Sequence, residues 1–221
     1  MRSTIKMIKL LIGTLTILCS LNCKAQNFTV AEQALIVSGD TSKLLRLIPL
    51  AEPEGKKYLR KISLDITCND PLLPLLKERM YKAVTDSNHK GVGIAAPQVG
   101  INRNLIWVKR YDKPSMPFEF FINPKIIWHS KLLRKGFEGD LSFKENWGDV
   151  VRSHSILISY TDISGVQHIE MLEDFTAVIF QHETDHLFGI LLTDRIAEQQ
   201  NKKYTPYQSY RNGELLQEES P

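Results

Sequence analysis

Thiols are scarce in this chain. Three cysteines occur in 221 residues, and two of them, Cys19 and Cys23, fall within the first 25. Beyond that point Cys68 is alone, so the body of the protein is expected to form no internal disulfide and no thiolate metal cluster. Long apolar runs are missing as well. The most apolar stretch, "LLIGTLTILCSL" at 10 to 21, falls short of the roughly 20 residues that a membrane-spanning helix needs. There is no strong charge of either sign: the formal net charge is +3. No basic patch stands out, and nucleic acid is not an expected partner. Internal repeats and low-complexity tracts are absent too. With 43% hydrophobic and 24% charged residues, the composition is that of a soluble globular domain able to bury its own core.

The beginning of the chain reads differently from the rest. "MRSTIKMIK" carries Arg2, Lys6 and Lys9 and no acid, and it precedes the uncharged run. Together they have the form of a secretory signal. Residues 1–25 are therefore expected to be a signal peptide, with Gln26 as the new N-terminus. Alternatively, a lipoprotein signal ends at 22 and Cys23 becomes a lipidated first residue, although Ser20 and Asn22 stand where such signals usually carry Leu and a small residue. An anchor that stays uncleaved is the third option. Export to the periplasm, or lipid anchoring to the membrane through Cys23, follows from the first two. Without residues 1–25 the chain has 24 basic and 25 acidic residues, a net charge of −1.

Residues 26–60 read as an N-terminal extension of mixed character, without evident chemistry. Residues 61–200 form the expected main domain, and 201–221 a polar, loose tail. Leu72, Leu75, Leu76, Met80 and Val84 share helical spacing, which predicts a helix that runs to a glycine stop at Gly91. Strands are expected at 104–108, 118–128 and 155–172, the last folded into a hairpin at "DISG". From Asp174 the period changes. Phe175, Val178, Ile179, His182 and His186 fall on one face of a helix that runs to about Leu187 and is closed by Gly189. The predicted class is α+β: antiparallel sheets packed around a central helix that carries both histidines.

That helix holds His182, Glu183 and His186 in the order H-E-x-x-H. The spacing sets two imidazoles one turn apart on one face, which suits a metal ion; the bland alternative is a pair of hydrogen-bonded core histidines. Glu183 is offset from the ligands and can reach a water on the metal, first as general base and then as proton donor. Downstream third ligands fail: one scheme lands near Thr205, the other on Leu192. The third ligand is expected upstream.

Three stretches then carry a resemblance. "GVGIAAPQVG" (91–100), "EGDLS" (138–142) and "QHETDHLFGILLTDR" (181–195) are similar to the three signature blocks of peptide deformylases, in the same order. The resemblance runs from about Leu72 to Ile196 and includes "VVR" at 150–152. It implies one divalent ion, Fe²⁺ or Zn²⁺, bound by His182, His186 and residue 140, and hydrolysis of N-formyl groups on formyl-methionyl peptides by a monomeric enzyme. Gln98, through its side-chain amide, and Leu141, through its backbone N–H, would donate to the developing oxyanion. Gly91 and Gly93 would let the first block pass close to substrate with permissive backbone angles. Val92 and Ile94 would be strand and pocket positions beside the methionine-like side chain. The departure is Asp140, where the family has a metal-binding Cys. A His₂-carboxylate set still suits zinc or iron, and a carboxylate resists the oxidants that an exported thiolate would meet. Arg152 is read either as pairing with an acid near the site or as a surface arginine. Two other readings stay open: a non-catalytic peptide- or metal-binding relative, and a metalloprotease.

Overall fold

The computed structural model describes residues 25–88, 90–210 and 213–218. The expected leader, with Cys23, lies outside them apart from Ala25. Among the described residues fifteen elements follow in chain order. Helices α1 (Val30–Ile36), α2 (Pro53–Leu59) and α3 (Leu73–Val84) come first, then strand β1 (Gly93–Ala95) and a 3-10 turn at Ala96–Val99. Strands β2 (Leu105–Lys109), β3 (Phe118–His129), β4 (Leu132–Asp140), β5 (Phe143–Ser153), β6 (Ser155–Thr161) and β7 (Gln167–Glu173) lead into α4 (Asp174–Leu187) and α5 (Leu192–Gln199). The chain closes on β8 (Tyr204–Tyr210) and β9 (Gly213–Glu218).

Two antiparallel sheets result, in the orders β1-β2-β3-β6-β7 and β5-β4-β9-β8. The first is covered on both faces. Leu105, Trp107, Phe120 and Ile122 pack with α3 and the N-terminal segment, whereas Ile106, Val108 and Phe121 pack against Ala177, Ile179 and Phe180 of α4. Successive side chains of a strand point to opposite faces, so a strand covered on both sides must be apolar throughout, as "LIWV" is. Helix α4 is buried at every position from Thr176 to Leu187. It is a central helix and not an amphipathic one lying on a surface. It stops where Gly189 turns left-handed, at φ +69; a Cβ there would stand 2.3 Å from the carbonyl oxygen of Arg60.

Three expectations need correction. Helix α3 ends at Val84, capped by Thr85, well before Gly91, because the apolar spacing ends at Val84. The described part of the tail is not loose: β8 pairs with β9, and β9 pairs with β4, burying Leu216. The extension is not an appendage either. Phe28, Ile36, Leu45 and Leu59 are core residues. Glu32 closes a capping box with Thr29 and also binds the buried Arg103 at 2.8 Å. One half-buried ion pair thus fastens α1 to the strand domain.

Candidate metal centre

Helix α4 projects His182 and His186 one turn apart, with ring centroids 5.1 Å from each other. Asp140 arrives from the end of β4, just after a register shift in its pairing with β5. The irregularity turns the last residue of a charged strand inward. One ligand atom from each of Asp140, His182 and His186 lies within 4.8 Å of the others, and all three residues are buried. His186 Nε2 stands 3.5 Å from Asp140 Oδ2. Buried side-chain atoms almost always have a hydrogen-bond partner. Here Asp140 Oδ2, Glu183 Oε2 and both ring nitrogens of His186 have none. Two imidazoles and a carboxylate whose lone pairs converge without a donor between them fit a divalent cation. The upstream third ligand sought in the sequence has a geometrically suitable occupant in Asp140.

A charged layer supports these side chains. His182 Nδ1 donates to Glu138 Oε2 at 2.9 Å, which leaves Nε2 directed at the cluster. Arg152 forks onto Glu138 at 2.6 and 2.9 Å and reaches Asp185 at 2.7 Å. Arg195 completes the row on Asp185. Burial would raise the Glu138 carboxyl, but the Arg152 charge and the His182 hydrogen bond bring it down to about 2. Burial opposes charge on His182, yet its bond to Glu138 and the surrounding carboxylates outweigh this and push it up to about 9. A metal must displace a proton there. Burial holds His186 neutral, down to about 4. Burial also pushes Glu183 up to about 8, with the nearby Asp140 adding to the rise and His182 opposing it.

The first block lies alongside. Gly91 and Gly93 do not have the positive backbone angles that favour glycine. Their lack of a side chain serves close approach instead: a Cβ on Gly93 would meet Glu183 Oε1 at 2.4 Å, and one on Gly91 would meet Leu141 Cδ1 at 2.7 Å. Gln98, 1% exposed, donates through Nε2 to Asp140 Oδ1 at 3.0 Å. Val92, Gly91, Gly93, Gln98, Asp140 and Leu141 line a cleft of about 590 Å³, with His182 and Glu183 in its wall and Phe175, Val178 and Ile179 as its apolar side. Ile94 departs from expectation. It is fully buried in the core beside Leu76 and Met80, because on a strand it faces away from its neighbour Gly93.

Sequence reasoning missed Asp185 and Arg195, and it valued Glu138 only as part of a block. The signal available was Asp185 inside the H-E-x-x-H helix, an acid at a position buried between two ligands. Arg152 proves to be buried and paired. At the cleft rim Phe137 and Trp147 stack with centroids 5.8 Å apart, both largely exposed.

The family model described as polypeptide deformylase matches residues 52–202. A peptide deformylase of Synechocystis sp. is 37% identical over 143 residues, spanning 64% of this chain and 75% of that one. Peptide deformylase 2 of Nostoc sp. is 36% identical, spanning 72% and 89%. Among solved structures, the peptide deformylase of Thermotoga maritima superposes with a TM-score of 0.62 at 34% identity, covering 69% of this chain and 97% of that one. The Met-Ala-Ser-bound class I type b peptide deformylase of Acinetobacter baumannii gives 0.62 at 31% identity, covering 70% and 99%.

Proposed function

This chain belongs to the polypeptide deformylase family, and from that premise we propose that its cleft hydrolyses the N-formyl group of formyl-methionyl peptides. The observation that carries the reading is the buried cluster of Asp140, His182 and His186 beside Glu183, with Asp140 Oδ2 and both ring nitrogens of His186 without hydrogen-bond partners, in the wall of a partly apolar cleft.

Those three residues would hold one divalent ion, Fe²⁺ or Zn²⁺, since two imidazoles and a carboxylate serve both. When bound, the ion supplies Lewis acidity, polarising the formyl carbonyl and making water more acidic. The rest is done by side chains. A water oxygen adds to the formyl carbon, and Glu183 takes up the proton that leaves the water. The C–N bond then breaks, Glu183 returns the proton to the departing amine, and formate and a free N-terminus result. Burial lifts the Glu183 carboxyl above the usual carboxylate range, and a neighbouring cation would draw it back down, so that one group can first accept and then return a proton. Glu138 keeps the Nδ1 proton of His182 in place and thereby its ring orientation. The apolar wall of Val92, Val178 and Ile179 suits the thioether side chain of methionine.

The test is formate release from a formyl-Met peptide by the purified protein, loaded with Fe²⁺ or Zn²⁺ in parallel. Glu183→Gln should keep its metal and lose rate by about two orders of magnitude or more. Metal retention with no formate release from the native protein would favour a binding relative instead. The basic start and the apolar run at 10–21 support export as the setting. N-terminal sequencing from the native host, showing a start at Gln26 or a modified Cys23, would bear this out; an intact Met1 in the cytosol would refute it.

A further inference from the structure

The two oxygens of Asp140 are not equivalent. Oδ1 accepts the Gln98 amide at 3.0 Å and the Ser142 backbone N–H at 2.7 Å. Oδ2 has no partner and faces His186 Nε2. The Gln98 amide is itself oriented: its Oε1 accepts the Ala95 N–H at 2.9 Å, and its Nε2 also reaches Ser142 Oγ at 3.3 Å. Turning it over would set an N–H₂ against an N–H and an oxygen against a carboxylate, so only one orientation is satisfied. The backbone behind each donor is held too. Ile48 N donates to the Gln98 carbonyl at 2.7 Å, and Leu50 N to that of Ser142 at 2.9 Å. Residues 48–50 precede the segment that matches the family model.

A thiolate offers a metal one atom, whereas a carboxylate offers two and can rotate to present either or both. We propose that Gln98 is a positioning residue for Asp140: with the Ser142 N–H it occupies Oδ1, so that Oδ2 alone is presented to the metal. The proposal rests on the metal-site reading above. It leaves the Gln98 amide one proton, the one on the longer contact to Ser142, to offer a substrate carbonyl.

The experiment measures Zn²⁺ affinity by chelator competition in four full-length proteins: native, Gln98→Met, D140C, and the double variant. Removing a hydrogen bond that orients a ligand costs about 10–100-fold in metal affinity. That loss is expected for Gln98→Met in the native background, and a loss several times smaller in the D140C background, where there is no second oxygen to hold. Equal losses in both backgrounds, or none in either, would overturn the proposal while leaving the metal site intact. A native protein that binds no Zn²⁺ would overturn both. Because Gln98→Met could impair folding, the native Co²⁺ protein gives a second measurement. An intense four-coordinate visible spectrum is expected; a weak five-coordinate one, from a carboxylate bound through both oxygens, would refute the assignment.

Discussion

Replacing Arg152 by Met should destabilise the protein more than it disturbs metal binding. Arg152 is buried between Glu138 and Asp185 and gives them three hydrogen bonds of 2.6 to 2.9 Å. Methionine fills similar space and supplies no charge. Breaking a buried ion pair by removing one partner costs about 3–5 kcal/mol, because the remaining charge stays buried. Here the lower end applies. Asp185 still has Arg195, at 2.5 and 2.9 Å, and Glu138 still has His182. A loss of about 3 kcal/mol in a chain of this length lowers Tm by roughly 6–12 °C. Metal affinity should fall by only about tenfold, the lower range for a residue one layer behind the ligands. Melting should be followed by circular dichroism with chelator and again with saturating Zn²⁺, because a ligand that binds the folded state raises Tm by mass action. Arg152→Lys keeps the charge but not the fork, and should fall between native and Arg152→Met. A Tm for Arg152→Met within about 2 °C of native in chelator would refute the view that this row of charges is a structural unit.

Two further outcomes follow from the same structure. Burial would raise Glu32, but its bonds to Arg103 and Thr29 outweigh this and lower its pKa below the usual 4.5. The sign for a depressed carboxylate is that its contribution is complete above the unfolded value and is lost as pH falls through the folded one. Denaturant titrations below pH 4.5 should therefore show an acid limb that is shallower in Glu32→Gln than in the native protein, and identical limbs would count against the Arg103 bond as the fastening of α1. If Asp140 is the third ligand, peroxide should leave the Zn²⁺-loaded native protein active, since zinc is not oxidised, while Zn²⁺-loaded D140C gains oxygen at that position by mass spectrometry and loses activity; equal inactivation of the two would argue that the carboxylate confers no resistance.

Several features were legible without coordinates because they are local. The three- and four-residue spacing from Phe175 to His186 defines α4 to within a residue at either end. "DISG" marks the turn between β6 and β7, since Asp162 accepts from the N–H groups of Ser164 and Val166. Two histidines at i and i+4 with a glutamate between them predict a ligand pair from helix geometry alone. The failed downstream spacings pointed to a third ligand upstream, and the resemblance placed it at residue 140. Other features depend on contacts between distant parts of the chain. Strands β4 and β5 went unread because "LLRKGFEGD" and "FKENWGDVVRS" are rich in charge, and their pairing, not their composition, makes them strands. The polar tail became β8 and β9 for the same reason: β4 had a free edge to cover. Gln98 holds Asp140 across 42 residues, and Arg152 meets Asp185 across 33. The carbonyls of Gln98 and Ser142 receive their donors from residues 48–50, in a segment without visible chemistry. Local periodicity says which residues share a helix face. Only the packing of β4, the first block and the extension around α4 decides which oxygen of Asp140 is left for a metal.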